Sequence, residues 1–191
     1  MQIPLMSVIL LIGWVAGCAG QSSLRPHEML DERTGATVAT LKDPIELAPS
    51  TQSAALVSHN HASFAYLGPV EWNRSGAISY GLWVHVVPGT GPQPGDIHAA
   101  DALTLTLDDG PLALPLSGAP SLGRSPYRPV ASWGQSAYFD LTIPELRRMA
   151  ASRKLELTVR AQDGSTATFS GVVDSRSVLT QYVQARGITG D

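Results

Sequence analysis

One cysteine in 191 residues leaves no internal disulfide to form. Whatever compartment the chain occupies, its core is held by packing alone. Charge is scarce as well. Asp, Glu, Lys and Arg make up 15 %, and 13 basic against 16 acidic side chains give a formal net charge of −3. A nucleic-acid binder shows a basic stripe, so no nucleic-acid partner is expected. Two signatures of chemistry are also missing: the glycine-rich phosphate loop with its lysine, and the Gly-x-Ser-x-Gly elbow of many serine hydrolases. Enzymatic activity therefore has no positive signal, and no cofactor is expected. There is no internal repeat of fixed period. What the chain has in quantity is Gly (18) and Pro (14), with aromatics at 6 %. Such a composition is turn-rich and leans towards β-structure rather than a helical bundle.

The most informative stretch is the N-terminus. From Ile3 to Ala16 no side chain is charged, and the run ends at Val15-Ala16-Gly17-Cys18. It is shorter than the ~20 residues that span a bilayer as a helix, and it suits the apolar region of a secretory signal. The block Val15-Ala16-Gly17-Cys18 resembles the lipobox of bacterial lipoproteins. The resemblance implies cleavage before Cys18, a diacylated Cys18 side chain and an acylated new amino group, so thiol catalysis is excluded. Met1-Gln2-Ile3-Pro4 carries no Lys or Arg, and only the terminal amine supplies positive charge there. Ala19, in place of an aspartate, implies the outer membrane rather than the inner. The resemblance covers Met1 to Gly20 and nothing beyond.

The expected organisation is a signal peptide over residues 1–17, a lipidated tether over 18–33 and one β-rich domain over 34–191. The part after cleavage, about 170 residues, is one domain of ordinary size. The span Ala19 to Arg33 is polar and lacks periodicity. Extended it would reach about 50 Å, and as a coil about 20 Å.

From Thr34 onward, alternation with period two predicts strands. Candidates are Ala36–Leu41, Ile45–Leu47, Phe64–Leu67 before a Gly68-Pro69 turn, and Ile78–Val87. In the last of these Ile78, Tyr80, Leu82, Val84 and Val86 share one face, and the other is partly apolar. That strand is expected to be central and covered on both sides. Leu103–Leu107 and Leu112–Leu116 flank the turn Asp108-Asp109-Gly110. Ser136–Leu141, Leu155–Arg160 and Thr166–Val173 complete the strands. Thr142-Ile143-Pro144-Glu145 matches a capping box and predicts a helix to about Ser152 that buries Leu146, Met149 and Ala150. A second amphipathic helix is expected from Asp174 to Arg186. The fold class is mainly β: a single antiparallel β-sandwich or curled sheet, one short bridging helix and a C-terminal helix. An α+β layer with both helices on one face is the alternative.

Four groups could carry function. His59-Asn60-His61 places two imidazoles on one strand face, where both could meet a metal, but no spacing nominates the remaining ligands, and His85, His98 and Glu71 are scattered. Glu71-Trp72-Asn73-Arg74, read as a segment between two strands, brings together residue types common in binding hot spots. Its bland reading is that Trp72 packs and Arg74 pairs with Glu71 or caps carbonyls. The Pro/Gly-rich loops Pro88–Asp96 and Ser117–Pro129 exceed a hairpin turn. The second carries Arg124, Tyr127 and Arg128, with Trp133 close behind. Either these side chains meet a protein or glycan, or Tyr127 and Trp133 fold back over the sheet. Asp108-Asp109 is turn chemistry.

The functional expectation is a lipid-anchored protein of the bacterial cell envelope. It would be a binding or structural module facing the periplasm, tied to the membrane by lipid, with an envelope protein or glycan as partner. The alternative is a periplasmic metal-dependent hydrolase using His59 and His61.

Overall fold

The computed structural model describes residues 26–50, 63–89, 97, 102–117, 125–160, 166–171 and 174–188. Strands account for 53 % of these and helices for 16 %, so the mainly β class stands. The strands are β1 (His27–Asp31), β2 (Ala36–Thr40), β3 (Ile45–Pro49), β4 (Phe64–Arg74), β5 (Ala77–Val87), β6 (Ala102–Leu107), β7 (Gly110–Pro115), β8 (Gln135–Leu141), β9 (Glu156–Arg160) and β10 (Thr166–Gly171). The helices are α1 (Ile143–Ala151) and α2 (Ser175–Ala185).

All pairings are antiparallel and belong to one sheet. Of the two forms expected, the curled sheet is the one adopted. Its path runs β3-β4-β5-β8 on one side and β3-β10-β9-β6-β7 on the other. The two ends then meet. Leu116, just past β7, bridges Phe139 of β8, and the Ser117 amide donates to the Tyr138 carbonyl at 2.8 Å. Eight strands thus form a ring, closed between β7 and β8 at this one bridge, which leaves less unpaired edge than an open sheet would expose. β2 continues the line of β3 along the same edge of β4, and β1 flanks β2.

The alternation read from the sequence decides what fills the ring. Ile45, Leu47, Leu67, Val84, Phe139, Leu114, Leu105, Leu157 and Phe169 fall on one face through the strand registers, and all are at most 2 % exposed. This is the inner core. Leu141 leads directly into α1, whose capping box forms as expected: Glu145 Oε2 accepts from the Thr142 amide at 2.7 Å, and Thr142 Oγ1 accepts from the Glu145 amide. Leu146, Met149 and Ala150 are buried, as the spacing predicted. The helices pack together, Thr180 Oγ1 donating to the Ala150 carbonyl at 3.0 Å.

Three expectations need correction. His27–Asp31, read as tether, is a strand paired with β2. Gly68-Pro69 is no turn but the middle of an eleven-residue strand, opposite the break between β2 and β3. There Pro69 needs no ladder partner for its missing N–H on that side, which is where a strand tolerates proline. Ile78 is 51 % exposed, because β8 pairs with β5 only from Tyr80 onward and leaves the β4–β5 tip uncovered.

Candidate functional site

Outer faces of ring strands are normally polar, and Thr104, Thr106, Thr158 and Glu156 follow that rule. The outer face of β4, β5 and β8 breaks it. Residues Tyr66, Gly68, Val70 and Trp72 pair there with His85, Trp83, Gly81 and Ser79, and Ser136 and Tyr138 lie beyond. Such a face needs a cover, and the segment from Ser125 to Gly134 supplies it.

This strap is fixed at two points. Tyr127 lies on the sheet, 3 % exposed, with its ring stacked on Trp83 at 5.0 Å between centroids. Its hydroxyl donates to the Pro69 carbonyl at 2.8 Å and accepts from the Leu41 amide at 3.0 Å. One side chain thus bridges β4 and the segment after β2. Room for it exists because residue 68 is glycine: a Cβ there would stand 2.3 Å from the Tyr127 ring. Gly81 makes the same clearance for Trp72, whose ring would meet its Cβ at 2.6 Å. The second fixing point is His85. It stacks on Trp83 at 5.4 Å with the planes 7° apart, and its Nδ1 is 2.7 Å from Ser136 Oγ. Gly134 closes a turn back to the Ala131 carbonyl and lies against the imidazole edge, where a Cβ would be 2.4 Å from Cε1.

Burial sets the protonation of both anchors. It drives the Tyr127 phenol well above its ordinary value, against the opposing effect of the Leu41 amide. It lowers the His85 imidazole, against hydrogen bonds with the backbone at Ala131 and Gln135 that favour its charged form. His85 is therefore neutral near pH 7.

Between these anchors the strap points residues outward. Arg128 is exposed, Val130 is 58 % exposed and Trp133 is 70 % exposed. From Ser125 to Gly134 there is one cation and no acid. An exposed valine and tryptophan are thus displayed between the two anchoring points, an arrangement suited to contact.

A second cluster ties the C-terminus to the sheet. Glu71, 2 % exposed, accepts from both Nε (3.0 Å) and Nη2 of Arg186, while Nη1 of Arg186 reaches Glu28 of β1. Tyr80 hydrogen-bonds Glu71, which raises its phenol after burial, the larger cause. Tyr182 donates to the Ala39 carbonyl at 3.3 Å. A third feature is an open cleft of about 400 Å³ lined by Asp108, Lys154, Glu156, Ser170 and Asp174 among others. Lys154 pairs with Glu156 at 2.9 Å, and the Asp108 carboxylate accepts the backbone amide of Arg153 at 2.6 Å.

The structure sorts the sequence-level candidates as follows. Glu71 and Trp72 belong to β4 and point to opposite faces, so they form no joint recognition loop. Arg74 is exposed at the end of β4, and the partner of Glu71 is Arg186 instead. Tyr127 is folded onto the sheet, the bland reading of that residue, whereas Trp133 is not. Arg128 is exposed beside it. Cys18, His59, His61 and Arg124 lie outside the described residues, as does most of the loop Pro88–Asp96. Sequence reasoning missed Arg186 and the Trp83–Tyr127–His85 stack. Its available signal was glycine inside strands at 68 and 81, which marks close approach of another group. Among the described residues no three His, Cys, Asp or Glu side chains come together as a metal site would need, and no helix is long and apolar enough to cross a membrane. Comparison with family models, with curated proteins and with solved structures brought no match.

Proposed function

We propose that the chain is a lipid-anchored protein of the bacterial cell envelope, most simply of the outer membrane, acting as a binding module rather than a catalyst. The observation that carries the binding half is Trp133, 70 % exposed on a strap pinned at both ends. A tryptophan held outward this way contributes contact area with little further loss of side-chain freedom on binding. Arg128 and Val130 extend the same surface. The anchoring half rests on the lipobox-like Val15-Ala16-Gly17-Cys18. It gains from β1, because only Ala19 to Pro26 separates Cys18 from a paired strand, about 28 Å when fully extended. The exposed strap therefore operates close to the membrane.

A photoprobe at position 133 in living cells tests this reading. It is expected to capture an envelope component, whereas a probe at exposed Arg176 on α2 captures none. Equal labelling from both positions, or none from either, removes the binding half.

A further inference from the structure

We infer that the strap's outward surface, Arg128, Val130 and Trp133, rests on the bilayer itself. This deepens the anchored reading and depends on it. The first observation is where the chain leaves the sheet. His27 pairs with Thr40, and the next residue, Leu41, gives its amide to the Tyr127 hydroxyl. The exit towards Cys18 and the start of the strap are thus joined through two consecutive residues. From Trp83 under Tyr127 to His85 under Gly134, the strap advances two residues along β5, about 7 Å. Ala19 to Pro26 can span at most about 28 Å. A tether of that length, leaving the domain beside the strap, keeps the strap within reach of the lipid; the end of α2, where Arg186 reaches Glu28, lies beside the same exit, and the chemistry displayed selects between the two.

The second observation is the chemistry displayed. An exposed indole beside an exposed valine and a guanidinium matches the interfacial zone of a bilayer. There tryptophan settles at the headgroup level with its ring in the acyl boundary and its N–H towards water. Arg128 offers paired donors for lipid phosphate. The strap carries no acid that would oppose anionic headgroups.

The test uses the full chain purified from membranes and reconstituted into vesicles of phosphatidylethanolamine and phosphatidylglycerol, with and without brominated acyl chains. Trp72 and Trp83 are buried, and Trp14 departs with the signal, so Trp133 is the indole that lipid can reach. Wild type is expected to be quenched by bromolipid, Trp133→Phe to lose nearly all of that quenching, and Arg128→Gln to reduce it. Acyl content is read by mass on the same sample. Acylated protein whose Trp133 is not quenched overturns the bilayer contact and leaves the anchored reading intact. Capture of a protein or glycan, and no lipid, by a photoprobe at position 133 also overturns it. Absence of acyl groups defeats the anchored reading and, with it, the geometric basis for this contact.

Discussion

The Tyr127 ring occupies the space where a Cβ on Gly68 would have to be, 2.3 Å from its Cε2 carbon. The two positions are 59 residues apart in sequence, yet the ring fits only because residue 68 has no Cβ. Gly68→Ala is expected to cost about 1–3 kcal/mol by overpacking, and Tyr127→Ala about 3–5 kcal/mol. In the double variant the alanine methyl enters the emptied space. The summed cost should fall short of additivity by about 1–3 kcal/mol in a denaturant-melt cycle. Strict additivity would mean the strap does not sit on Gly68.

The Tyr127 hydroxyl gives a finer test. Tyr127→Phe keeps the stack on Trp83 but strands the Leu41 amide and the Pro69 carbonyl. A loss of about 1–3 kcal/mol is expected, measured by equilibrium unfolding. A neutral result would show that neither group depends on the phenol.

His85 sets an acid limit on the fold. Burial depresses its pKa in the folded state, so the unfolded chain binds the proton more readily. Stability is then fully present above the unfolded value near 6.5 and declines as pH falls below it, until the depressed folded value is reached. Carboxylates lose their own contributions only nearer pH 4. A melting temperature followed from pH 8 to 5 should therefore fall in wild type. His85→Gln, which can still meet Ser136, should be flatter over that window. An equal slope in both would clear His85 of the effect.

How much of this was legible beforehand differs by layer. The inner core was readable because period-two alternation and burial coincide in β6, β7, β8 and β9. The capping box at Thr142 fixed the start of α1 from four residues. The outer layer was not readable. Gly68-Pro69 carries the local chemistry of a turn, and only the break between β2 and β3 explains why a strand runs through it. Trp72 looked like a loop residue for the same reason. Tyr127 and Trp133 are six positions apart with similar composition around them, and the sequence does not say that one is anchor and the other display. That depends on Gly68 and on the Leu41 amide, both distant in the chain.

Arg186 was read only as the end of a helix, although it carries the ionic tie between α2, β4 and β1. Replacing it alone leaves the Glu71 carboxylate buried without its partner, so Arg186→Met is expected to destabilise by about 3–5 kcal/mol. Adding Glu71→Leu should recover most of that loss, since the uncompensated charge is gone. Denaturant midpoints of the single and double variants decide it, and a double variant no better than Arg186→Met would contradict the assignment.

The most direct measurement is the intact mass of the protein taken from washed membranes, with its N-terminal peptide sequenced by fragmentation. The expected result is a chain that begins at Cys18 and carries acyl chains on its sulfur and its amino group, and a Cys18→Ala variant without them that leaves the membrane fraction or stalls with its leader attached. A wild-type chain that retains Met1 to Gly17 with an unmodified Cys18 would contradict it.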